Sequence, residues 1–154
     1  MKRFILSAVV VASLAFGGCT NKDAENPTPV PTGKATITGL ATVDLDLNQA
    51  GRQGSVPAGT KVTVILSTKD LVLNPSSSVN YADRVYETTI GADGRYSIEV
   101  DATDKPFTVS VRGGEFEANR VPAGGGAAVR VEFSVAASNV TVYKGGSFIQ
   151  DLAY

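Results

Sequence analysis

Thr88-Thr89-Ile90-Gly91-Ala92-Asp93-Gly94-Arg95-Tyr96-Ser97-Ile98-Glu99-Val100 is the stretch whose reading decides the fold class. Its centre, Gly91 to Gly94, carries Asp-Gly, which supplies the positive φ that a tight chain reversal needs. After the turn, Tyr96, Ile98 and Val100 alternate with Arg95, Ser97 and Glu99, a period of two that places one face of a strand in a core. Arg84 to Ile90 leads into the turn, so the passage predicts a hairpin of two strands, Arg84–Ile90 and Arg95–Val100.

The same period recurs on both sides. From Ala35 to Leu47 the odd positions are Ala35, Ile37, Gly39, Ala41, Val43, Leu45 and Leu47, against mostly Thr, Asp and Asn at the even ones. Thr60–Ser67 repeats it with Val62, Val64 and Leu66, after a loop from Gly51 to Gly59 that contains Pro57. Further strands are predicted at Phe107–Arg112, Val129–Val135, Val140–Tyr143 and Ser147–Leu152, with Gly145-Gly146 closing the last pair. Lys69 to Asp83, centred on Asn74-Pro75-Ser76-Ser77-Ser78, reads as a long loop. No useful length outside the leader carries a 3.6-residue apolar period. The expected fold is therefore all-β, a single antiparallel β-sandwich of seven to eight strands.

The 88–100 run, preceded by Pro57-Ala58-Gly59-Thr60-Lys61-Val62-Thr63-Val64, resembles the transthyretin-like or carboxypeptidase-regulatory-like sandwich of secreted bacterial proteins, over roughly residues 34 to 135. The sequence departs from that pattern at Asp101–Pro106, where the family has a glycine-led step, and adds a C-terminal pair beyond Ser134. The resemblance implies a fold. It implies no chemistry, because turn and alternating strands contain no reacting group.

The N-terminus supplies an address. Met1-Lys2-Arg3 is positive, and Phe4 to Phe16 is a run of 13 residues broken only by Ser7 and Ser13, followed by Gly17-Gly18-Cys19. Length and flanks read as a secretion signal; crossing about 30 Å of hydrocarbon takes roughly 20 apolar residues. Phe16-Gly17-Gly18-Cys19 resembles a lipobox, with Phe16 where leucine is commonest. The resemblance implies diacylglycerol on Cys19 and cleavage before it. The chain then divides into a signal peptide (1–18), a lipidated cysteine with a Pro-rich tether (19–33) and a β-sandwich domain (34–154). Each buried methylene contributes about 0.8 kcal/mol, so two or three acyl chains hold firmly where one does not. A lipidated Cys19 has no thiol left for redox or nucleophilic work.

Thr20-Asn21-Lys22-Asp23-Ala24-Glu25 is similar to the surface-export signal of Bacteroidota lipoproteins, which implies the outer face of the outer membrane. Asn26-Pro27-Thr28-Pro29-Val30-Pro31-Thr32-Gly33 then favours extended polyproline II. As a spacer, residues 20–33 reach at most roughly 40 Å at about 3.1 Å per residue.

Composition excludes much. The chain has no histidine, no tryptophan and one cysteine, so imidazole catalysis, disulfides and the usual zinc ligand sets lack their residues. Beyond the signal, twelve basic side chains face fifteen acidic ones, and a net charge of about −3 gives no general field for nucleic acid or an anionic bilayer. Asp44, Asp46 and Asn48 have the alternate spacing of a calcium loop, yet Gln49 replaces the turn glycine and Ser55 the closing glutamate, so they read as the solvated face of the first strand. The glycine clusters Gly113-Gly114 and Gly124-Gly125-Gly126 read as loops and not phosphate cradles. Glu115 and Glu117 read as a solvated strand end. Tyr86 and Tyr96 are assigned to the core. Tyr81, with Arg84 nearby, is the candidate ligand contact.

The sequence thus predicts a non-enzymatic, surface-exposed envelope lipoprotein without catalytic residues, metal or cofactor. Its partners would be a membrane, through the acyl chains, and other envelope proteins or extracellular glycan, with no nucleic acid. A fimbrial or adhesion accessory is the alternative, and a carboxylate-only enzyme the remote one.

Overall fold

The protein is described here by a computed structural model covering residues 28–30, 32–49 and 53–154. Strands follow in the order β1 Gly33–Val43, β2 Gly54–Ser55, β3 Lys61–Ser67, β4 Asp83–Thr89, β5 Arg95–Ala102, β6 Phe107–Gly113, β7 Phe116–Arg120, β8 Val129–Phe133, β9 Ser138–Val142, β10 Ser147–Ile149 and β11 Leu152–Ala153. One 3-10 turn, Thr68–Leu71, follows β3, and the described residues contain no α-helix.

β1 organises the first sheet, because the alternation seen in sequence buries Ala35, Ile37, Gly39, Ala41 and Val43 along one face. On one edge β5 pairs antiparallel with it from Gly33↔Ala102 to Leu40↔Arg95, and β2 continues that edge at Thr42 and Val43. On the other edge β10 and then β11 run parallel to it. Large residues of β5 lie opposite small ones of β1: Tyr96 faces Gly39 and Val100 faces Ala35. An aromatic ring beside a strand glycine covers backbone that would otherwise be exposed.

The second sheet runs β4-β3-β6-β9, antiparallel throughout. It turns Val62, Val64, Leu66, Val109, Val111, Val140 and Val142 inward. Both sheets feed one hydrophobic cluster, a β-sandwich-like arrangement. β7 and β8 form a separate hairpin. Phe116 stacks on Phe133 at 5.3 Å between ring centroids, and Tyr154 meets Phe116 edge-on at 5.0 Å, which pins the hairpin base to the C-terminus.

Three expectations need correction. The Gly91–Gly94 turn forms, with the Gly91 N–H donating to the Arg95 carbonyl at 2.8 Å, yet its flanking strands enter different sheets. β5 carries a fully buried stripe that matches β1, whereas β4 is an edge strand on β3, so the chain crosses from one layer to the other at buried Ile90. Gly145-Gly146 likewise leads from β9 to the opposite sheet instead of closing a pair, and the sheet around β1 is consequently mixed. Finally, β1 ends at Val43. Asp44 and Asp46 accept from the backbone N–H of Asp46 and Asn48, both at 3.1 Å, and fold 44–48 into successive Asx turns, which competes with strand.

Candidate functional site

β1 separates the molecule into two ends. Its first residue, Gly33, lies opposite Ala102, so the β5–β6 connection and the 68–82 loop that opens toward it belong to the end where the chain enters. Just past its last residue, the isolated bridge Asp46↔Val121 ties in the β7–β8 hairpin, whose Pro122–Ala128 tip marks the far end. At about 3.3 Å per residue, the 11 residues of β1 set these ends roughly 36 Å apart.

The entry end holds a cleft of about 450 Å³. One wall is the 3-10 turn and its continuation, Lys69, Asp70, Val72, Leu73 and Pro75; the other is Lys105, Pro106 and Phe107. The tether supplies a third side. The Val30 N–H donates to the Leu71 carbonyl at 3.0 Å, the Leu73 N–H donates to the Thr28 carbonyl at 2.9 Å, and Pro29 bridges Val72 antiparallel. Buried Leu71 holds the strapped segment against the core. Thr103 closes the floor: it is the buried polar residue of the core, and its hydroxyl donates to the Lys105 carbonyl at 2.8 Å. Leu73 is 64% exposed. Among the described residues, the ammonium groups of Lys69 and Lys105 have no ion-pair partner.

Beside this end sits the principal charge cluster. The Lys34 ammonium donates to Asp101 Oδ1 at 2.6 Å, and the Arg84 guanidinium pairs with Asp101 Oδ2. The Asp101 N–H donates to the Tyr86 hydroxyl at 3.2 Å, with Lys34 Nζ 6.0 Å from the Tyr86 ring centroid. The hydrogen bond from Lys34 holds the Asp101 carboxyl below the usual carboxylate range, against partial burial that pushes it upward. The same bond raises Lys34 above the usual amine value. These groups are committed to one another and tie β1, β4 and β5 together.

A second, shallower cleft of about 530 Å³ lies where β1 passes from β10 to β11. Its carboxylates are occupied by backbone: Asp151 accepts from the Leu40 N–H at 2.8 Å and Asp93 from the Arg95 N–H at 3.1 Å. Tyr96, in its wall, donates to the Gln150 carbonyl at 2.5 Å, and burial pushes its hydroxyl up to about 12.

Of the residues singled out in sequence, Cys19 lies outside the described residues. Tyr81 is half-buried, and its hydroxyl accepts from the Ser76 N–H at 2.9 Å, so it closes its own loop. Arg84 turns to Asp101, and no hydrogen bond joins it to Tyr81. Glu117 pairs with Arg130 across β7 and β8 at 2.7 Å. Sequence reasoning passed over Lys34, Asp101, Lys69, Lys105 and Phe107. A polar residue at the head of the first strand was the one available signal, for Lys34. No family model matches the chain, and no curated protein matches it.

Proposed function

We propose that the chain is a lipid-anchored protein of the outer membrane, facing the exterior, whose transthyretin-like sandwich is a non-catalytic binding or spacer module of an envelope assembly. The observation that carries this is the way the chain enters the folded body. Thr28–Val30 are strapped to Leu71–Leu73 only nine residues beyond Cys19, the residue that ends the apolar leader. An anchor so close to a docked strap fixes one end of the domain toward the membrane and leaves the other end for partners.

The two sheets around one core, with β1 and β5 in one and β3, β6 and β9 in the other, support the transthyretin-like type. For partner binding the far end offers the exposed hairpin tip Pro122–Ala128, held on the body by Asn48, which donates to the Pro122 carbonyl at 2.8 Å and accepts from the Gly124 N–H at 2.8 Å. Such a tip is a loop presented by a rigid scaffold, the usual place for recognition of another envelope protein or a glycan.

Intact mass of the chain purified from membranes, with and without Cys19→Ser, tests the anchor; protease added to intact cells tests the location. The proposal expects an acylated mass lost in the variant, and degradation without lysis of the outer membrane. An unmodified Cys19, or protection until the outer membrane is opened, would overturn it.

A further inference from the structure

We infer that the entry end of the domain rests on the phosphate-bearing headgroup layer of the membrane that holds the anchor, with Leu73, Lys69 and Lys105 as its contact residues. This rests on the lipid anchor proposed above and adds to it an orientation and a second membrane-binding element.

Chain length comes first. Eight residues, 20–27, separate Cys19 from Thr28, and even fully extended the link spans at most about 30 Å. The strap prevents Thr28–Val30 from lengthening that link, because two backbone hydrogen bonds fasten it to the loop beside the cleft. The cleft therefore lies within one short link of the bilayer, while the hairpin tip lies a further strand length away.

Surface chemistry at that end suits the location. Leu73 is 64% exposed beside Val72, Pro75, Pro106 and Phe107, an apolar lip that can enter the boundary between headgroup and acyl chain. Two lysines flank the lip with ammonium groups free to meet phosphate. The nearby acids are largely answered: Asp101 by Lys34 and Arg84, and Asp104 by Lys144 at 3.8 Å. Among the described residues Asp70 is the carboxylate that lines the cleft, so against Lys69 and Lys105 that lining carries a net positive charge although the whole chain is slightly acidic.

Acylated full-length protein in vesicles of phosphatidylethanolamine and phosphatidylglycerol tests the contact. Acylation blocks Cys19, so Leu73→Cys or Gly125→Cys gives a single thiol that takes an environment-sensitive fluorophore. Both positions are exposed and nothing lies within 4 Å of a Cβ at 125, so packing is undisturbed and only the positive φ of that loop residue is strained. A headgroup-labelled nitroxide lipid should quench the label at 73 severalfold more than the label at 125, and Lys69→Glu with Lys105→Glu should bring the two close to equal. Equal quenching in the parent, or stronger quenching at 125, overturns the contact. Failure of the anchor itself looks different: the acyl mass is missing and the chain does not float with vesicles, which removes both readings at once.

Discussion

Lys34 at the head of β1 and Asp101 near the end of β5 form a 2.6 Å ion pair at the point where the tether becomes strand. The carboxylate is 15% exposed and the ammonium 56%, so the pair sits at the boundary between core and water. Its position makes it a clamp on the entry end.

Asp101→Asn should therefore destabilise the domain by about 1 kcal/mol, less than a fully buried pair, because Lys34 and Arg84 can both be rehydrated. The pKa of Asp101 is depressed in the folded state, so its contribution is present above the unfolded carboxylate value of about 4 and is lost as pH falls through the lower folded value. Urea unfolding at pH 7 should separate parent and variant. As pH falls below the folded value the two curves should converge, and a constant gap would remove the ion pair as the cause.

Gly39→Ala should be far more damaging. A Cβ there would stand 1.9 Å from the Gln150 carbonyl oxygen and 2.7 Å from Tyr96 Cε1, and the first of these is backbone that cannot swing aside. Overpacking of this kind costs about 1–3 kcal/mol or more. Thermal unfolding should fall well below that of Gly124→Ala, where nothing lies within 4 Å of the added carbon and only the positive φ is strained.

These contacts also show what the sequence could and could not convey. Alternation at 35–43, 62–66 and 96–100 identified strands and their buried faces, because burial on one side leaves a period of two in the residues themselves. Sheet membership left no such trace. Gly91–Gly94 has the chemistry of a chain reversal, but pairing β5 with β1 depends on Tyr96 meeting Gly39, a relation between residues 57 positions apart. β7 was hidden for a different reason: Phe-Glu-Ala-Asn-Arg is short and half polar, and Gly113-Gly114 before it reads as loop. The entry cleft was least visible of all, since it joins Val30, Leu73 and Phe107 from three distant segments. Arg84 could be singled out by type, whereas its partner Asp101 could not.

The C-terminus is predicted to be structural. Leu152 is 1% exposed in a strand of two residues, paired in parallel with Ala41. Leu152→Ala should cost about 2–5 kcal/mol, a core-sized penalty from a residue two positions before Tyr154. Deleting 147–154 removes β10 and β11 and bares one edge of β1, which should give insoluble or unfolded protein. A truncated domain that stays soluble and melts like the parent would contradict the register.

Phe116→Ala should loosen the β7–β8 hairpin more than the sandwich, because the half-buried ring stacks on Phe133 and meets Tyr154 at the margin of the core. Hydrogen exchange should accelerate at 116–120 and 129–133 while β1, β3 and β6 keep their protection.

Alkaline titration addresses the opposite end of the pH scale. Burial raises the Tyr96 hydroxyl to about 12, with the Asp151 charge adding to the effect, and the ring is 4% exposed. In the unfolded chain the same hydroxyl ionises near 10. The neutral form is the one the fold accepts, so its contribution is complete below about pH 10 and disappears as pH rises toward the folded value. Absorbance at the tyrosinate band should show one tyrosine ionising last, together with loss of β-sheet circular dichroism. Tyr96→Phe should remove that late step and lower stability at neutral pH by about 1 kcal/mol, because the Gln150 carbonyl loses its donor while the ring still covers Gly39.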